Sequence, residues 1–383
     1  MDKGAALFLL VLAVGGLSDT TNALAESEST RSTIDKDGTV HAAAFEIPFS
    51  SLASEEAKKV FIEESSSMKA KASFAEGLST TYLSTPEGLT EFILRWRKSS
   101  DEERKKIAQE MTKIYPVTVT PEVFGGVQTD VVMPRDGVSA QNENRVLINL
   151  HGGGMIFGAR YEGQVMSIPI ASVGGLKVIT VDYRMAPEHR FPAASEDVAA
   201  VYAELLKRYR PENIGIYGCS AGGYLTAQSL AWFQVHNLPR PGAVGILCFG
   251  WGGGDSSYVA SVLSGGAAPT EPRMSSKNPA IRALGLCASQ ANPRDPLVNP
   301  MSSTAVLAKF PSTLFINSTR DGMMSGAIHS HLQLIKAGVD AELYLWDGLG
   351  HAFMYDTRLP ESHEVYNIMV KFFDKHLGHE ANH

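Results

Sequence analysis

The sequence predicts an α/β fold, a mostly parallel central sheet flanked by helices. Three observations predict it. From about residue 125, short β-branched apolar runs alternate with segments of helical length, the pattern of parallel strands joined by crossover helices. The runs are continuously apolar rather than alternating, as strands covered on both faces are. One of them leads directly into Gly218-Cys219-Ser220-Ala221-Gly222 and then a helical stretch, the strand–turn–helix context in which a G-x-S-x-G segment forms a tight elbow.

The strand candidates, in order, are 127–132, 146–150, 178–183, 214–218, 243–249, 313–319 and 341–346. Helical lengths fall at 192–208, 221–235, 325–337 and 361–377. Residues 251–300 are rich in Gly, Ser and Pro and longer than an ordinary connection, so they read as an insertion above the sheet. Ahead of the sheet, 52–73 and 86–114 are helix-like. Ser51 and Ser54 are alternative caps for the first, and Thr85-Pro86-Glu87 places proline at the first helical position of the second. Leu89, Phe92, Ile93 and Trp96 recur at helical spacing. The charged run Asp101 to Lys106 reads as a solvated face.

The first 25 residues have the form of a secretory leader: Lys3, the apolar stretch Ala5 to Val14, then Ala23-Leu24-Ala25. The apolar stretch is too short to span a bilayer comfortably. Cleavage is expected after Ala25, giving a secreted or periplasmic protein. The organisation expected is therefore leader 1–25, flexible lead-in 26–44, N-terminal helical cap segment 45–120 and catalytic domain 121–377 carrying the insertion 251–300. The net charge of −7 and the lack of a basic block give no general attraction to nucleic acid or anionic membranes. No stable membrane span is expected. A homodimer is compatible with the sequence, which does not fix the oligomeric state. The three cysteines, Cys219, Cys248 and Cys287, read as buried free thiols.

Ser220 is the candidate nucleophile. Glycines two residues to either side remove side chains that would clash in a turn sharp enough to project its hydroxyl. His151-Gly152-Gly153-Gly154 follows the strand 146–150, and such a loop can aim backbone N–H groups at one point. The candidate oxyanion donors are Gly153, Gly154 and Ala221, with His151 shaping the loop. An elbow serine is followed in chain order by an acid and then a histidine. Asp321 lies just past the strand 313–319, and His351 lies in a Gly-rich loop past 341–346. Asp347 and Asp295 are rival acids: Asp347 reads as a loop cap, and Asp295 belongs to the insertion. His329 and His331 sit two apart on a helix and face different ways. His376, His379 and His383 read as a solvated tail. No metal and no cofactor is expected.

In this order the motifs resemble the hormone-sensitive-lipase-like branch of α/β-hydrolases, the bacterial family IV esterases. The residues that carry the likeness are His151-Gly152-Gly153-Gly154 with Gly158, Asp182-Tyr183-Arg184-Met185-Ala186-Pro187-Glu188-His189 running into Phe191-Pro192-Ala193, Gly218-Cys219-Ser220-Ala221-Gly222-Gly223, and Asp321 with His351. The resemblance implies hydrolysis of short- to medium-chain acyl esters without cofactor, on a small-molecule substrate. It also implies a cap built from the N-terminal helices and the insertion. Asp182, Arg184 and Glu188 are expected to pair with one another and brace their loop. Cys219 stands where the family usually has Asp or Glu. A lactonase or deacetylase would use the same triad. A non-catalytic ligand-binding homologue would lack the histidine, and an interfacial lipase would want a large apolar lid surface.

Overall fold

Eight strands hydrogen-bond into one sheet, and the apolar runs of its inner strands accord with their burial on both faces, while the two edge strands are largely exposed or half-buried. The computed structural model describes residues 32–43, 46–71, 80–252 and 291–378. The chain divides into two compact units, Met1–Phe49 and Ser50–His383. In the first, β1 (Thr33–Ile34) and β2 (Val40–His41) form a short antiparallel hairpin, inside the segment whose composition reads as a lead-in.

The second unit carries the sheet. Its strands are β3 (Val117–Phe124), β4 (Val127–Pro134), β5 (Val146–Leu150), β6 (Lys177–Val181), β7 (Ile214–Cys219), β8 (Ala243–Leu247), β9 (Ser312–Ser318) and β10 (Ala341–Trp346). They lie in the order β10-β9-β8-β7-β5-β6-β4-β3. Strands β5 to β10 pair in parallel, and β4 and β3 close one edge antiparallel. The sequence-based strand list omits β3. Its interior Pro121 argues against a central strand, and the structure places it at the sheet edge, where proline is tolerated. The available signal was Gly125-Gly126, both at positive φ, joining β3 to β4.

Helices α1 (Glu55–Lys71), α2 (Thr80–Leu83) and α3 (Pro86–Ile114) precede the sheet. Ser54, not Ser51, caps α1 by accepting from the Ala57 N–H. Thr85 caps α3, with Pro86 at its first position as expected. Within and after the sheet come α4 (Tyr161–Gly174), α5 (Ala193–Leu205), α6 (Ala221–Val235), α7 (Thr304–Leu307), α8 (Met324–Lys336) and α9 (Pro360–His376). The sequence reading omits α4. This helix is buried on nearly every side and contains Gly163 and Pro169, so it shows neither an amphipathic stripe nor an unbroken run of helix formers.

On one face of the sheet the core includes Ile148, Ile179, Ile216, Ile246 and Phe315, which the register sets on that face together and which are wholly buried; on the other face Leu147, Val178, Tyr217, Leu247 and Ile316 are wholly buried too. A smaller cluster joins Leu89, Phe92 and Ile93 of α3 to Ile156 and Ala186, with Trp96 and Phe157 packed against it. The apolar stripe of α3 is thus spent on the body of the protein rather than offered as an open surface. Most of the insertion, including Cys287, and all of the leader lie outside the described residues, as do His379 and His383. Among the described residues, no helix is long and apolar enough to cross a membrane.

Candidate active site

The candidate residues stand at the C-terminal ends of β5, β7, β9 and β10, where parallel α/β sheets gather their ligand-binding groups. At the end of β7 the chain turns so sharply that Ser220 takes φ 57° and ψ −117°, a conformation costly for a non-glycine residue. Ser220 N–H donates to Leu247 O at 2.8 Å, fixing the elbow to β8. The flanking glycines are sterically required. A Cβ at Gly218 would lie 2.4 Å from the Gly222 carbonyl carbon, and one at Gly222 would lie 1.8 Å from Leu150 O. Gly222→Ala is therefore expected to destabilise the fold by about 3 kcal/mol or more, read as a lowered urea midpoint.

The loops after β9 and β10 are stitched together. Ser318 Oγ donates to Gly350 O at 3.0 Å, and Arg320 N–H to Leu349 O at 3.2 Å. This brings His351 to Asp321: Nδ1 lies 2.9 Å from Oδ1 and 3.0 Å from Oδ2. The Asp321 carboxylate is 1% exposed and also accepts the Met323 N–H at 2.8 Å. Asp347 faces elsewhere, accepting from Ser50 and Thr319, and so acts as the loop cap its position suggests. Asp295 accepts from the Leu297 N–H in its own turn.

Loss of water around the His351 ring pushes its pKa down, but the charge and hydrogen bond of Asp321 more than offset this, leaving it raised to about 9. The side chain is 42% exposed, so solvent screens part of that field. If His351 is the group that takes a proton from Ser220, its imidazole must be unprotonated, so activity is expected to be absent well below the His351 pKa and to rise through it. The ascending limb of kcat/KM is expected on the alkaline side of the ordinary 6.5. Asp321→Asn, which removes the raising charge, should move that limb towards acid.

After β5 the loop passes through Gly153 at φ 94° and Gly154 at φ 61°. Among the described residues, the N–H groups of Gly153, Gly154 and Ala221 donate no hydrogen bond within the protein. His151 shapes this loop as expected. Its Nδ1 lies 2.8 Å from Gly152 O, its ring stacks on Tyr183 at 4.0 Å, and Tyr183 Oη donates to His151 O. Burial lowers its pKa to about 4, so it stays neutral near pH 7.

Two sequence-based expectations are corrected here. Asp182, Arg184 and Glu188 do not pair with one another. Arg184 turns to Glu196 and Asp197 of α5, Glu188 is held by Arg97 of α3, and Asp182 is a mostly buried carboxyl whose pKa is raised by desolvation and by nearby Asp130. The reason is that the flanking helices offer Arg184 and Glu188 closer partners. The run Asp101 to Lys106 is not wholly solvated either. Arg104 points inward to Glu162 at 2.7 Å, and the side chain of Glu162 is only 5% exposed. Arg97, Arg104 and Met111 continue the stripe begun by Ile93 at steps of four and seven residues, a signal available in the sequence. Glu162 offered none, because its helix was not recognised. Cys219 and Cys248 are buried free thiols, and burial pushes the Cys248 thiol up. Cys219 lies under the elbow at 0% exposure. No cluster able to hold a metal ion is found among the described residues.

Residues 147–355 match the family described by the alpha/beta hydrolase fold. The acetyl-hydrolase of Streptomyces hygroscopicus is 26% identical over 245 residues, covering 62% of this chain and 78% of that protein. An esterase of Acinetobacter venetianus is 24% identical over 285 residues, covering 70% and 87%. The crystal structure of an esterase from the bacterial hormone-sensitive lipase family superposes with a TM-score of 0.66 at 25% identity, over 85% of this chain and 99% of that one. Another esterase structure gives 0.72 at 26% identity, over 88% and 98%. The chain belongs to the α/β-hydrolase family, in its hormone-sensitive-lipase-like carboxylesterase branch. It is a carboxylic ester hydrolase.

Proposed function

We propose that this enzyme is a serine carboxylesterase that hydrolyses short- to medium-chain acyl esters through an acyl-enzyme on Ser220. The observations that carry the reading are the buried Asp321 carboxylate on His351 Nδ1 and a serine held in a strained elbow at the C-terminal end of β7, at the same edge of the sheet. With Nδ1–H committed to Asp321, Nε2 is left as the proton acceptor. Ser220 Oγ adds to the acyl carbon as its proton passes to His351. The oxygen of the former carbonyl takes the negative charge and is met by the N–H groups of Gly153, Gly154 and Ala221. The tetrahedral adduct then breaks its bond to the alkoxy oxygen, which leaves as alcohol with the proton from His351. Water repeats the sequence on the acyl-enzyme, releasing the acid and restoring Ser220.

Names of relatives support the short end of the acyl range: one is an acetyl-hydrolase, and a Salmonella relative is called an acetyl esterase. A graded series of aryl esters tests this, with kcat/KM expected to peak at short chains. A peak at long chains presented as an emulsion would favour an interfacial lipase instead. Residues 45–120 and the insertion 251–300 are assigned the role of a cap over the site, and Ala25 the end of an export leader. N-terminal sequencing of exported protein should then begin at Glu26. An intact Met1 on exported protein would contradict the cleavage site.

A further inference from the structure

The mechanism leaves one buried ion pair without a task. Glu162 sits in the first turn of α4, and its partner Arg104 comes from α3, far away in sequence. The Arg104 guanidinium also lies over the Tyr355 ring, 5.4 Å from its centroid. Tyr355 is buried and follows His351 by four residues. These groups converge on the loop after β5. A Cβ built at Gly152 would be 3.2 Å from Tyr355 Oη, 3.3 Å from Cys219 O and 3.3 Å from Glu162 Oε1. Four segments therefore meet at one glycine: the candidate oxyanion loop, the strand carrying the nucleophile, the loop carrying His351, and α4. Arg104 adds the N-terminal helix as a fifth.

Removing a carboxylate from water is expensive, and an apolar pair of similar volume is often at least as stabilising as a buried ion pair. Stability alone is therefore a weak reason for a charge here. We propose that Glu162, held by Arg104, is a positioning residue for the oxyanion loop. Together with Tyr355 it fixes the backbone at Gly152, and so the aim of the Gly153 and Gly154 N–H groups. This rests on the serine-esterase reading above. It also makes α3 more than a cover, because its docking sets the geometry of the transition-state donors.

The test compares three variants of the full-length protein on a short aryl ester, with thermal unfolding measured alongside. Glu162→Gln keeps shape but loses charge, and is expected to lower kcat about tenfold with KM within about twofold, since donors are misaimed rather than deleted. Arg104→Lys keeps a cation beside Glu162 and should retain most of the wild-type kcat. The pair Arg104→Met with Glu162→Leu removes both charges, so it should unfold near the wild-type temperature while kcat stays about tenfold low. Wild-type kcat in either the Gln variant or the apolar pair would overturn the proposal. So would failure of both to fold, which would make the pair purely structural. Fluorophosphonate labelling of the wild-type protein separates the two readings. If it neither labels Ser220 nor hydrolyses the ester, the esterase reading fails and the positioning role falls with it.

Discussion

Replacing Ser220 by alanine is expected to lower kcat towards a short aryl ester by about 10⁴-fold or more. No other hydroxyl stands on the elbow, and a neighbouring nucleophile could not reuse the strained geometry at φ 57°. The residual rate should come from the oxyanion donors and from substrate binding. KM should change little, because the hydroxyl contributes mainly in the transition state. The fold should be unharmed: the Ser220 backbone bonds to Leu247 and Tyr224 do not involve the side chain. Removing a β-oxygen at positive φ introduces no new clash. Comparable kcat/KM in the alanine variant, on protein free of wild-type contamination, would remove the nucleophile from the account.

Asp321→Asn is the second large effect, expected at about 10³–10⁴-fold in kcat near neutral pH. An amide keeps the size of the carboxyl but loses its charge. It can also present N–H₂ to His351 Nδ1, which would turn the ring's proton onto Nε2 and block attack. Because Asp321 is 1% exposed, no water can replace the lost acceptor cheaply. Asp347→Asn is the control. Its partners are Ser50, Thr319 and the loop after β10 rather than His351, so it should cost stability and only a few-fold in rate. The reverse ranking of the two variants would show the acid to be misassigned.

Much of the fold was legible in the sequence because it depended on local and repetitive signals. The buried strands β5, β6, β7 and β8 are short, mostly apolar runs, and β9 and β10 each keep an apolar centre. Helix α3 announces its own start at Thr85-Pro86. Ser220, Asp321 and His351 could be proposed because each follows one of those strands in a fixed chain order. What was not legible depended on three-dimensional context. Helix α4 is buried nearly all round and mixes polar with apolar residues, so periodicity had nothing to report. The partners of Arg184 and Glu188 come from α5 and α3, and a linear motif carries no information on which neighbour will be nearest. Arg104 looked like one more solvated charge until α4 brought Glu162 beneath it.

The pH behaviour distinguishes a working dyad from a passive ion pair. A His351 proton acceptor held by Asp321 gives an alkaline-shifted rise in kcat/KM that moves towards acid in Asp321→Asn. A structural pair would leave the profile in place while lowering stability.

The most direct measurement is rapid acid quenching of the enzyme during turnover of p-nitrophenyl acetate, followed by peptide mass spectrometry. A single acetyl group on the peptide containing Ser220, appearing with the burst of nitrophenol and lost as turnover ends, is the predicted result. Turnover with the acetyl group on another residue, or with no covalent species in either the wild type or a slowly deacylating variant, would contradict it.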